Sequence, residues 1–83
     1  MNILLVGERQ DVLLVKYEML EANWELKIQQ CYSLEVALNK LSNTIFDCLI
    51  YIPFCCQDRR VQFAKLAQIN QQYKISIRVL EEV

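Results

Sequence analysis

Two uninterrupted apolar runs of strand length, Ile3 to Val6 and Cys48 to Ile52, constrain the fold more than any other feature of this chain. A strand with no polar position has no face to offer to water and must be covered on both sides, as central strands of a parallel sheet are. Two other segments alternate instead. Trp24 to Cys31 sets Trp, Leu and Ile against Glu, Lys and Gln, and Ile75 to Leu80 sets Ile75, Ile77 and Val79 against Ser76 and Arg78. Alternation with period two is the pattern of a strand with one face partly uncovered, and burying Arg78 would be costly. The apolar runs therefore belong at the centre of the sheet and the alternating ones at its edges.

Helical patterns separate the four strands. From about Gln10 to Ala22, Leu13, Leu14, Tyr17 and Leu20 recur at helical spacing with Lys16, Glu18 and Glu21 between them, and Asp11 favours the helix dipole in the first turn. Asn23 is placed to end this helix in the left-handed conformation. Ser33 is the expected N-cap of a second helix on Leu34, Ala37, Leu38 and Leu41, and Ser42 to Thr44 forms a short loop. Pro53 stops the third strand, and Asp58 caps a third helix running to about Gln72 on Phe63, Leu66, Ala67 and Tyr73. The order strand-helix-strand-helix-strand-helix-strand predicts a three-layer α/β sandwich over residues 1–83, one domain. Central and edge strands together predict the sheet order 2-1-3-4, the flavodoxin-like order without its last strand.

Composition removes several classes of function. Nine basic and ten acidic residues give a formal charge of −1, so there is no positive field to attract nucleic acid or anionic lipid. No apolar run approaches the ~20 residues of a membrane span, and no signal-peptide pattern opens the chain, so a cytoplasmic location is expected. With no histidine, triads built on a His base and His-containing zinc sites are excluded. One Gly and one Pro do not suit a disulfide scaffold, so the four cysteines read as reduced thiols: Cys31 and Cys48 in strands, Cys55 and Cys56 adjacent after the third strand. Adjacent cysteines lack the spacing that closes readily around zinc. Gly7 alone is not a phosphate loop. No cofactor is expected.

The segments MNILLVGE, EANWELKIQQCYSLEVALNKL and FDCLIYIP resemble, in order, the first strand, the helix end with edge strand and second helix, and the phosphoacceptor strand of two-component receiver domains. The resemblance spans nearly the whole chain and implies the flavodoxin-like fold. It also implies that the phosphorylation site is degenerate. The acidic pair of a receiver falls on Gly7 and Glu8, its acceptor aspartate on Ile52, five positions after Asp47, and its strand-four hydroxyl near Leu80 or Glu81; the strand-five lysine would lie beyond Val83. An aliphatic side chain neither ligates Mg²⁺ nor attacks a phosphoryl group. The position corresponding to the cysteine of small sugar-transport phosphocarriers is Gly7.

These readings converge on a non-enzymatic, shortened receiver-like module that contacts protein, either a partner or itself as a homodimer. Right-handed crossovers put the first helix alone on one face of the sheet, leaving strands three and four undercovered there. The candidate contact surface is Val12, Val15 and Met19 on the first helix with Ile77, Arg78 and Val79 on the fourth strand. Arg59 and Arg60 beside Asp58 are solvated or reserved for a partner's carboxylates, and Trp24 and Tyr32 either cover the core edge or anchor an interface. The alternative is a small thiol- or ligand-binding protein using the carboxyl edge around Glu8, Ile52, Cys55 and Cys56.

Overall fold

A computed structural model describes residues 1–81. Its elements are β1 (Asn2–Val6), α1 (Arg9–Ala22), β2 (Lys27–Cys31), α2 (Leu34–Asn43), β3 (Cys48–Tyr51), α3 (Arg59–Tyr73) and β4 (Ser76–Val79). The four strands form one sheet of order β2-β1-β3-β4, every pair parallel. The expected architecture and strand order are both observed. Leu4, Leu5, Val6, Leu49 and Tyr51 in the two central strands are fully buried, whereas β2 and β4 alternate exposed and half-buried positions. Hydrophobic cover thus fixes the position of each strand in the sheet.

The two faces of the sheet carry separate cores. Leu4, Val6, Leu49 and Tyr51 face α2 and α3, packing with Leu34, Ala37, Leu41, Leu66 and Ile69. Ile3, Leu5, Ile50 and Ile52 face the other way and meet only Val12 and Val15 of α1, with Met19, Leu26 and Leu80 at the margin. Among the described residues no helix is long and apolar enough to cross a membrane.

Local signals explain most boundaries. Ser33 Oγ accepts the Val36 amide at 3.2 Å and Asp58 Oδ1 accepts that of Arg60 at 2.8 Å, so both expected N-caps form. Asp47 ties the start of β3 to β1: its carboxylate accepts the Asn2 amide at 2.7 Å while its own amide donates to the Asn2 carbonyl at 2.8 Å.

Several expectations are corrected. Asn23 is extended, with φ −154°; the left-handed C-cap is Lys74 instead, at φ 51°, where Asn70 Nδ2 also donates to the Ile75 carbonyl at 2.7 Å. Strand β2 begins at Lys27 rather than Trp24, because Trp24 and Glu25 form a turn, in which Trp24 is 80% exposed. Helix α3 is rotated from its expected face: Gln62, Leu66 and Ile69 are buried while Phe63 and Ala67 are exposed. Leu38 of α2 likewise faces solvent. Val12 is fully buried and Val15 nearly so, which removes both from an exposed flank and makes them the core contacts of α1.

Candidate functional site

The carboxyl ends of the strands, where open α/β sheets bind ligands, are built from Gly7, Glu8 and the loop after β3. Gly7 follows β1 and Ile52 follows β3, and the sheet ladder continues through them: the Gly7 amide donates to the Cys31 carbonyl at 3.3 Å and the Ile52 amide to that of Val6 at 2.8 Å. The two residues are in direct contact. A Cβ on Gly7 would lie 2.8 Å from Ile52 Cβ and 3.3 Å from the Ile52 carbonyl oxygen, closer than packed atoms tolerate. Gly7 is therefore required by the approach of its neighbour, since its φ is not positive. Ile52 is 3% exposed and packs into the α1-side core. The closest of these contacts is to a Cβ that any residue but glycine would place at 52, so it is the close approach of the two chain segments that leaves room for nothing larger than glycine at position 7.

Beside this closed pair the structure brings Glu8 and Cys55 together, residues separated by 47 positions in the chain. Cys55 Sγ donates to Glu8 Oε1 at 3.1 Å and lies 3.7 Å from Cys56 Sγ, and the Cys55 amide reaches the same carboxylate oxygen at 3.4 Å. Both thiols are exposed and free. The Glu8 hydrogen bond, followed by that with Cys56, pushes the Cys55 thiol up to about 11 from 9.0. A carboxylate keeps the proton on sulfur, the opposite of the cationic surroundings that make a reactive thiolate. Cys31 is also raised to about 11, chiefly by burial, and is inert for a different reason.

The same edge holds a cleft of about 300 Å³ between Asp11, Ile52, Cys55, Gln57, Arg59 and Glu81. Arg59 pairs within the chain: its Nη1 meets both Glu81 carboxylate oxygens at 3.0–3.1 Å. Both partners are more than half exposed, so the pair contributes at most about 1 kcal/mol. Leu80, where the resemblance expects a hydroxyl, continues the sheet by donating its amide to the Tyr51 carbonyl at 2.9 Å.

One residue that organises this edge was missed by the sequence reading. Gln62, 1% exposed, accepts from the Tyr51 hydroxyl and from the Phe54 amide at 2.9 Å, and donates to the Phe54 and Gln57 carbonyls at 3.0 and 3.1 Å. It clips the loop carrying Cys55 and Cys56 onto α3, satisfying loop backbone groups that β3 and α3 do not. The available signal was its spacing: Gln62, Leu66, Ile69 and Tyr73 recur at i, i+4, i+7 and i+11. Burial also raises the Tyr51 hydroxyl to about 12, which keeps it a donor to Gln62.

The expected contact residues separate into two surfaces. Ile77 and Val79 are half-buried on the α3 side of β4. Arg78 is exposed on the α1 side, where it borders a groove of about 470 Å³ with Val15, Glu18, Met19, Ile50 and Leu80. This groove is the undercovered region expected over β3 and β4. Outside it, α1 exposes Leu13 at 44%, Leu14 at 48% and Tyr17 at 64%. Comparison with protein-family models, with curated proteins and with solved structures returns no match.

Proposed function

We propose that this chain is a receiver-like protein-protein interaction module that cannot be phosphorylated and serves a regulatory or assembly role in signalling, without catalysis of its own. The observation that carries the reading is the Gly7–Ile52 contact. Where the resemblance puts a receiver's acceptor carboxylate, a buried isoleucine stands against Gly7, and the one remaining carboxylate, that of Glu8, accepts from a thiol; this supports the reading. The exposed apolar side chains of α1 and the open groove beside it support a contact role, because contiguous exposed apolar surface commonly marks an interaction site. Incubating the chain with acetyl phosphate and Mg²⁺ tests this directly: the intact mass is expected to stay unchanged, and a stoichiometric aspartyl phosphate overturns the reading.

The second reading, a thiol-dependent binding protein, is favoured by the Glu8–Cys55–Cys56 juxtaposition. It requires Cys55 to ionise readily, against the direction in which Glu8 moves it. Titration of the thiols with and without Zn²⁺ separates the two. Alkylation of Cys55 more slowly than an ordinary exposed thiol, unaffected by metal, supports the contact module; metal protection of both Cys55 and Cys56 supports the second reading.

A further inference from the structure

Helix α1 carries two apolar stripes, roughly a third of a turn apart. Val12, Val15 and Met19 face the sheet, whereas Leu13, Tyr17 and Leu20, at i, i+4 and i+7, form a second stripe in which Leu20 is half-buried and Leu13 and Tyr17 are exposed. A surface helix packed on one sheet needs only the first stripe. The second leaves Leu13 and Tyr17 about half or more exposed, and Trp24, immediately beyond the helix, is 80% exposed. The 4-3 spacing of this outer stripe is that of a helix-pairing seam.

The charges beside the outer stripe are arranged with opposite signs on its two flanks. Lys16 lies on one side, with Arg9 two turns before it, and Glu21 lies on the other. If Leu13 and Leu20 take the d positions of a heptad and Tyr17 an a position, Lys16 is g and Glu21 is e. When two identical helices pair antiparallel about a two-fold axis, each flank meets its own copy, so Lys16 faces the basic flank and Glu21 the acidic one. When they pair parallel, each basic flank meets the partner's acidic flank, and Lys16 reaches Glu21 of the other copy, twice by symmetry. Lys16 Nζ donates to Gln30 Oε1 of β2 at 2.9 Å and keeps donors for a further partner. Tyr17 and Trp24 would each cover ~150 to 250 Å² when fully buried, so two stripes together reach on the order of the 1,000 Å² that a specific interface needs.

We infer that the occupant of this surface is a second copy of the chain, docked by parallel pairing of the outer face of α1 about a two-fold axis. The inference rests on the contact-module reading above and names its partner. Sedimentation equilibrium of the full chain tests it. Wild type is expected to be a reversible dimer; Tyr17→Glu a monomer that melts with wild type at dilutions where wild type too is dissociated. Lys16→Glu and Glu21→Lys should each weaken self-association about tenfold, since two attractive pairs become repulsive. Mixing these two variants should restore a dimer containing one copy of each. A wild-type chain that stays monomeric throughout overturns the inference, as does a dimer indifferent to Tyr17→Glu, or a mixture that fails to associate. None of these outcomes touches the phosphorylation test, so the parent reading stands or falls separately.

Discussion

The two faces of the sheet differ in how completely they are closed. Among the described residues, α2 and α3 seal a core of thirteen buried residues on one, whereas on the other Val12 and Val15 of α1 alone close over Ile3, Leu5, Ile50 and Ile52 and leave a groove over β3 and β4. The closed face therefore carries most of the stability, and the surplus apolar surface is concentrated on α1. That division separates substitutions that unfold the chain from those that alter its contacts.

The largest effect is expected on the closed face. Leu49→Ala removes a fully buried side chain from the middle of β3 and should cost about 3–5 kcal/mol by chemical denaturation, whereas Leu13→Ala on the outer face of α1 should change monomer stability by less than about 0.5 kcal/mol. Equal costs at the two sites would break the comparison. Gln62→Leu comes next: it keeps the volume but orphans the Tyr51 hydroxyl and three backbone groups of the loop after β3, for an expected loss of about 2–3 kcal/mol. Faster amide exchange at Phe54 and Gln57 should accompany it.

Gly7→Ala sharpens the description of the carboxyl edge. Its new Cβ must displace Ile52, whose own Cβ would lie 2.8 Å away, at a cost of about 1–3 kcal/mol, and Ile52→Gly, which removes that Cβ, should relieve part of that cost in a double-mutant cycle. Strict additivity would contradict the proposed contact.

Alkaline pH gives a smaller, graded effect. Cys31 is raised by burial from 9.0 to about 11, so above pH 9 the unfolded chain releases a proton that the folded chain retains. Stability is thus fully present below pH 9 and declines as the pH rises toward 11; Cys55 and Tyr51 shift in the same direction. Melting temperatures measured across that window should fall less steeply for Cys31→Ala than for wild type. The smallest effect is Lys74→Gly, expected to stabilise by up to about 1 kcal/mol because only glycine takes a left-handed φ of 51° without strain.

The sequence was most informative where hydrophobic cover alone decides the outcome. Ile3–Val6 and Cys48–Ile52 have no polar position, and that was enough to make β1 and β3 central and to order the sheet. Reading was weaker where one polar group replaces many apolar contacts. Gln62 occupies the first place in the buried stripe of α3, and its four hydrogen-bond partners come from the end of β3 and a loop whose path is visible only in the fold. Trp24 looked like strand because it extends the alternation of β2, yet the chain is still turning there. The Gly7–Ile52 contact shows a third case. Each residue was legible as a departure from the receiver pattern, but the close approach that demands glycine at position 7 is visible only in the distance between them.

The central claim is that the chain acts by contact through α1 and that its carboxyl edge is inert. Backbone amide resonances followed through a dilution series test both halves together. Concentration-dependent shifts are expected at Leu13, Leu14 and Tyr17, with none at Gly7, Glu8 or Cys55; shifts confined to the latter group, or none at any concentration, would contradict the account.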